Sequence, residues 1–140
     1  MSIKLNQPKK HLSIVLWLVA LHSFSMGVGL IVQPVALINF LGFGPICENF
    51  FPAQGGAFHI LMGIAYLMGA CNVEKYHSLI VFSIIVKTGA ALFLMLYCII
   101  ADFKWFILFC AAIDATMGLL IFLSLLAYLS SNHLPKSKNL

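Results

Sequence analysis

The sequence predicts an all-α integral membrane protein, a four-helix bundle of up-down-up-down topology, because of its composition and the spacing of its apolar segments. Of the 140 residues, 62% are hydrophobic and 9% are charged, whereas an ordinary soluble domain has about 25% charged residues. So few charged residues cannot cover a soluble globular domain, and so many apolar ones exclude a disordered chain. The net charge of +4 comes from scattered lysines without any arginine, which excludes a nucleic-acid-binding protein.

Four windows of the sequence are suited to cross a bilayer, since a spanning helix needs about 20 mostly apolar residues. We predict helices at about residues 12–32, 53–73, 78–100 and 105–129, within a single transmembrane domain of residues 1–140. All four windows are apolar on every face, unlike the alternating segments of about 10 residues in transmembrane strands. The first window follows a lysine-containing start, as in a signal peptide. Its apolar run continues past His22 to Val32, which favours a retained helix.

The placement of lysine orients the predicted helices. If the helices alternate in direction, six lysines lie on one side of the membrane: Lys4, Lys9, Lys10, Lys75, Lys136 and Lys138. Lys104 lies on the opposite side, and Lys87 lies within the third window. Because cytoplasmic loops carry an excess of lysine, we expect short cytoplasmic tails at residues 1–11 and 130–140. The lipid bilayer is then the predicted partner of the chain.

The links between the windows differ in length. Residues 72–77 and 101–104 are short links, which favour antiparallel neighbours and an up-down bundle. The first link contains the apolar run 35–41, followed by Gly42, Gly44 and Pro45. We interpret this run as a half-helix that lies in the outer membrane interface or caps the bundle. The alternative is an extension of the first helix beyond a kink at Pro34.

Each predicted helix carries one ionisable residue: His22, His59, Lys87 and Asp114 in order. Lysine or aspartate at the centre of a spanning helix costs about 2.5–3.5 kcal/mol in insertion free energy. At 1.5 Å per residue, Asp114 lies about 14 Å and Lys87 about 21 Å below the outer ends of their helices. The lysine stem covers this difference, so we predict an ion pair. The alternatives are that each residue binds its own backbone carbonyl or water, or that Lys87 extends to the cytoplasmic face.

Small residues accompany these polar positions at helical spacing, as in the set His22, Ser25, Gly29 and Gln33 of the first window. Small residues allow close helix packing, with buried polar groups joining the helices. The alternative is a polar cavity, filled with water or ligand, that opens outward near His59 and Gln54. The candidate polar interior or ligand site consists of His22, Gln54, His59, Tyr66, Lys87 and Asp114. No catalytic residue is predicted.

The spacing of histidine and cysteine argues against several classes of site. No His-x3-His or Glu-x2-His pair is present, so we predict no metal ion and no cofactor; haem ligation by His22 and His59 is geometrically conceivable. The four cysteines, Cys47, Cys71, Cys98 and Cys110, are isolated in sequence and indicate structural thiols. A bridge between Cys98 and Cys110 stays open. Glycine-rich phosphate loops and the sequence motifs of zinc or serine hydrolases are absent from the sequence.

Several short motifs in the second to fourth windows share one pattern of glycine, lysine and aspartate placement. They are Phe50-Phe51-Pro52-Ala53-Gln54-Gly55-Gly56, Gly63-Ile64-Ala65-Tyr66-Leu67, Ser78-Leu79-Ile80, Lys87-Thr88-Gly89 and Asp114. Over residues 30–125 this pattern resembles the DoxX-like group of small bacterial four-helix membrane proteins. The resemblance implies a four-helix bundle with a polar interior in the bacterial cytoplasmic (inner) membrane. It carries over no catalytic residues, and the polar positions of the group correspond here to Gln54, Lys87 and Asp114.

The sequence departs from the DoxX-like pattern in one respect. Several relatives place an arginine in the second helix after the aromatic residue, and this chain has none, which argues against a charge-dependent role at that position. Founding members of the group are associated with a terminal quinol oxidase. The function that we expect is therefore that of a non-catalytic accessory or stress-related component, with a homo-oligomer or a larger membrane complex both open. The alternatives are a carrier or binding protein for a small hydrophobic or protonatable ligand, and a quinone- or lipid-linked enzyme.

Overall fold

The computed structural model of the chain describes residues 7–43 and 48–133. Within these two ranges all regular secondary-structure elements are helices, as predicted, and they are joined by short turns and links. The helices are α1 (Gln7–Val32), α2 (Val35–Phe40), α3 (Phe50–Cys71), α4 (His77–Ile100) and α5 (Trp105–His133). Residues 1–6 and 134–140 of the predicted tails (1–11 and 130–140), together with Gly44, Pro45 and Cys47, lie outside the described residues.

Three helices of the described chain are long and apolar enough to cross a membrane: α1, α4 and α5 as far as Asn132. The helix α3 occupies the second predicted window and is 22 residues long. It contains Gln54, His59 and four glycines, and these residues lower its hydropathy below that of the other three long helices. The length of α3 is nevertheless about 33 Å, since an α-helix rises 1.5 Å per residue.

The helix ends differ from the predicted windows by a few residues. α1 begins at Gln7, five residues before the window, with Pro8 in its first turn, where a missing N–H does no harm. α5 continues to His133, beyond the predicted end at residue 129. α3 ends two residues early, at Cys71, because Asn72 turns the chain: its Oδ1 accepts a hydrogen bond from the Lys75 N–H over 3.0 Å. Hydropathy therefore locates the apolar part of a helix, and α1 and α5 continue beyond that part in additional turns.

The short helix α2 is a separate element and does not continue α1. Gln33 has a backbone φ of +46°, in the left-handed region that ends a helix, and Pro34 follows it. The predicted half-helix is therefore present, and the alternative of a kinked extension is wrong. The segment contacts the start of α5 through edge-on aromatic pairs, Phe40 with Trp105 and Phe43 with Phe106, each with ring centres 6.3 Å apart.

The four long helices pack in a closed order: α1 contacts α3 and α5, and α4 contacts α3 and α5. Their largest buried cluster contains Leu12, Leu16, Val19, Tyr66, Ile80, Ile121 and Leu125. Many large apolar side chains instead face outward along the whole length of the helices, such as Leu21, Phe93 and Leu123. An apolar exterior of this extent is typical of a surface that contacts lipid.

The contact between α1 and α3 is the tightest in the molecule. A Cβ atom built on Gly56 would lie 2.6 Å from the Gly27 carbonyl oxygen, so the two backbones touch. Ser13 Oγ donates a hydrogen bond to the Ala70 carbonyl over 2.7 Å. Near the first turn of α1, Lys9 forms an exposed ion pair with Glu74 at 2.8 Å. The start of α1 therefore lies beside the end of α3.

Candidate functional site

Lys87 of α4 and Asp114 of α5 form a buried ion pair. Lys87 Nζ donates a hydrogen bond to Asp114 Oδ1 over 2.5 Å, and the two side chains are 3% and 9% exposed. The link of residues 101–104 reverses the chain, so that two residues at similar depth on α4 and α5 meet. The predicted pair is confirmed, and the alternatives of separate partners or of a lysine extended to the cytoplasmic face are wrong.

Tyr66 of α3 and Gly118 of α5 shape the space around Lys87. Lys87 Nζ lies 5.7 Å from the centre of the buried Tyr66 ring, within the range of a cation–π interaction. A Cβ atom on Gly118 would lie 3.4 Å from Lys87 Cβ, so the glycine leaves room for the lysine stem. The ammonium group therefore has a carboxylate on one side and an aromatic face on another, which compensates in part for its lost hydration.

His22 of α1 and His59 of α3 are both half-buried, on two helices that pack against each other. Ser23 Oγ donates a hydrogen bond to the His59 backbone carbonyl over 2.9 Å and lies 3.5 Å from His59 Nδ1. The Nδ1 atom of His22 is buried and has no hydrogen-bond partner among the described residues. The described interior thus contains an ion pair and, on α1, a buried imidazole nitrogen without a hydrogen-bond partner among the described residues.

Gln54 does not join this cluster. The side chain is exposed on α3, whereas Gly56, two residues later, is buried against α1. Residues two apart on a helix lie about 200° apart around its axis, so the face that meets α1 directs Gln54 outward. The structure therefore brings Tyr66, Lys87 and Asp114 together, whereas the hydrogen-bond contacts of His59 are with Ser23. Gln54, predicted from the sequence to lie in the polar interior, is instead exposed on the outside of α3.

The buried face of α1 also differs from the one that the small residues predict. Ser25 is exposed and bonds its own helix at the Leu21 carbonyl, and a Cβ on Gly29 would meet nothing within 4 Å. Ser23 and Gly27, which sequence reasoning missed, face α3 instead. They continue the row of buried apolar residues at positions 12, 16 and 19 with helical spacing, and this row is the signal that identifies them.

Two apolar grooves lie on the outside of the helix pairs. One, of about 370 Å³, runs between α1 and α5, and the other, of about 280 Å³, runs between α4 and α5. None of the six candidate residues lines either groove. The ion pair and these grooves are therefore distinct features of the molecule.

The cysteines and metal-binding residue types form no cluster in the described part of the chain. Cys71, Cys98 and Cys110 are free thiols, so the bridge between Cys98 and Cys110 that the sequence left open is not formed. Residues 7–43 and 48–133 contain no group of three or more histidine, cysteine, aspartate or glutamate side chains placed to hold a metal ion.

The chain was compared with known proteins at three levels. It matches no protein-family model, no curated protein and no solved structure.

Proposed function

We propose that the chain is an integral membrane protein in which α1, α3, α4 and α5 cross the bilayer as an up-down-up-down bundle. Three of these helices are apolar enough to span, and α3 packs against two of them. The position of the lysines supports cytoplasmic termini, and the DoxX-like pattern supports the bacterial cytoplasmic membrane. The exposed apolar segment α2 would then lie in the outer interface, beside the aromatic residues at the start of α5.

Within that membrane we assign the chain a non-catalytic role of the DoxX-like type, as an accessory subunit or stress-related component. The observation that carries this role is the buried Lys87–Asp114 pair. The two charges neutralise each other, and the pair joins α4 to α5 beside Tyr66 of α3. We propose that the pair fixes the register of α4 against α5, as buried polar groups do in some other proteins. The large apolar exterior leaves the outer helix faces available to lipid or to partner subunits.

Two measurements test this proposal. Alkaline carbonate extraction of membranes from expressing cells should leave the chain in the membrane pellet, because four buried spans resist extraction. Native mass spectrometry after gentle detergent solubilisation should then find the chain in an assembly with other polypeptides. Release into the carbonate supernatant would contradict membrane insertion. A lone chain that carries a small organic molecule other than a membrane phospholipid would contradict the accessory role.

A second candidate function is the binding or transfer of a small protonatable ligand. The buried His22 Nδ1, which has no hydrogen-bond partner among the described residues, favours it, since ionisable groups inside a membrane often form proton or substrate paths. In that case, native mass spectrometry should find the chain without other polypeptides and with a small protonatable molecule bound.

A further inference from the structure

The surface along which α1 and α5 meet, here called the α1–α5 seam, has an apolar groove and a polar recess that follow each other along the two helices. The apolar groove of about 370 Å³ is lined from α1 by residues such as Leu18 and from α5 by residues such as Ala112 and Met117. Towards the start of α1 and the end of α5, the same two helices form a recess of about 340 Å³. The groove ends at Leu120 and the recess begins at Leu123, less than one helical turn further along α5.

The recess presents hydrogen-bonding groups and a nearby positive charge. Gln7, His11 and Ser124 line it. Lys10, next to His11 in the chain, is exposed, whereas Lys9 is already paired with Glu74. A flexible lysine stem brings its ammonium group to polar ligands around it. These groups suit a phosphate oxygen, which accepts hydrogen bonds and carries negative charge.

The length of the groove matches one leaflet of a bilayer. Along α5, the groove extends from Phe109 to Leu120, a distance of about 17 Å at 1.5 Å per residue. One half of a hydrocarbon core that is about 30 Å thick measures about 15 Å. When the headgroup lies at the level of the recess, the groove is therefore long enough to take an acyl chain of one leaflet.

The α4–α5 groove provides a comparison on the other side of α5. It is lined by apolar residues such as Ile84 and Phe122. One helical turn closer to the end of the molecule that contains the start of α1, the corresponding residues are Val81 of α4 and Leu126 of α5. Both are apolar and exposed. The combination of an apolar groove with a polar, basic end therefore distinguishes the α1–α5 seam from its neighbour.

We propose that the α1–α5 seam binds one phospholipid with an anionic headgroup, from the leaflet that faces the start of α1. One acyl chain occupies the groove, and the phosphate contacts Gln7, His11, Ser124 and Lys10. Basic pockets between transmembrane helices on the cytoplasmic side recognise anionic lipid headgroups in this way. The inference rests on the proposed membrane insertion and adds a lipid specificity to it.

The test is native mass spectrometry of the full-length chain in detergent, titrated with phosphatidylglycerol or phosphatidylcholine at equal concentration. The wild type should retain one phosphatidylglycerol molecule more strongly than phosphatidylcholine. Lys10→Gln should weaken phosphatidylglycerol binding about five-fold, the factor that one lysine contributes near an anionic lipid surface, and leave phosphatidylcholine unchanged. Lys10 is exposed, so this variant keeps the fold.

A pair of tryptophan variants on α5 locates the site. Ala112 lines the α1–α5 groove and Ala115 lines the α4–α5 groove, three residues away. Ala112→Trp should reduce retention of both lipids, and Ala115→Trp should reduce neither. Equal retention of the two lipids by the wild type, or equal effects of the two tryptophan variants, would overturn the proposal.

Glycerol phosphate serves as the probe for a free anion. It should not compete with phosphatidylglycerol, and competition at equal concentration would show an anion site and overturn the lipid assignment. Carbonate extraction tests membrane insertion separately, so a chain that stays in the membrane without lipid preference contradicts only this inference.

Discussion

The free energy of the Lys87–Asp114 pair depends on two opposing terms. Removing one partner of a buried pair costs about 3–5 kcal/mol in soluble proteins, because the other charge is left uncompensated. Polar contacts inside membranes contribute about 0.6 kcal/mol on average, since the unfolded chain also finds partners there. Both side chains are almost fully buried here, so we expect a value between these limits.

Neutralising one member of the pair should therefore destabilise the protein, and neutralising both should restore much of the loss. Asp114→Asn and Lys87→Met should each lower the melting temperature of the purified protein in detergent. The double variant should melt closer to the wild type, because neither charge is then left alone. Thr116→Val is a suitable control, since Thr116 is exposed and bonds only its own helix at the Ala112 carbonyl.

The double variant also distinguishes a packing role from a chemical one. If the pair only joins α4 to α5, the double variant should regain both stability and whatever phenotype the wild type complements. If the pair takes part in proton or ligand transfer, stability should return while the phenotype does not. If the melting temperature of the double variant falls by the sum of the two single decreases, the two residues act independently.

At the scale of the helices, α1 and α3 are held together by the contact of their backbones. Gly27→Ala would place its Cβ 2.8 Å from the Gly56 carbonyl oxygen, and Gly56→Ala is equally crowded against Gly27. Neither backbone can move without separating the helices. We expect each change to lower stability by about 1–3 kcal/mol, as overpacking does in tightly packed cores.

Gly29→Ala is the matched control for this prediction, because it lies on the same helix with open space around it. Thermal unfolding in one detergent compares the three variants directly. Equal melting temperatures for Gly27→Ala and Gly29→Ala would mean that the backbones are not in contact in the membrane protein.

The sequence predicts where these helices lie along the chain better than how each helix is rotated about its own axis. The windows follow from hydropathy, and the Lys87–Asp114 contact follows from depth along two helices joined by a short link. The rotation of α1 was predicted wrongly: Ser25 and Gly29 point away from α3, and Ser23 and Gly27 point towards it. A helix that is apolar on every face has no amphipathic phase, so packing against neighbours alone decides which residues are inside.

At the scale of the whole molecule, the distribution of lysine makes a prediction about topology. Reporter fusions in the α3–α4 link at Lys75 and after α5 should both report the cytoplasm, and a fusion at Lys104 should report the opposite side. The reason is that lysine-rich loops remain in the cytoplasm during insertion. A non-cytoplasmic signal at Lys75 would contradict either the crossing of the bilayer by both α1 and α3 or the proposed orientation of the bundle.

If the long helices cross a bilayer as proposed, the 27-residue separation of Lys87 and Asp114 has a consequence for how the protein is made. When α4 leaves the ribosome, its buried lysine has no carboxylate partner, because Asp114 is synthesised later. At about 5–20 residues per second, that partner arrives within seconds. The insertion cost of each charge falls only when both are present, so α4 and α5 should enter the bilayer as one hairpin. In this region, the nascent chain should therefore insert stably only after α5, which carries Asp114, has been synthesised.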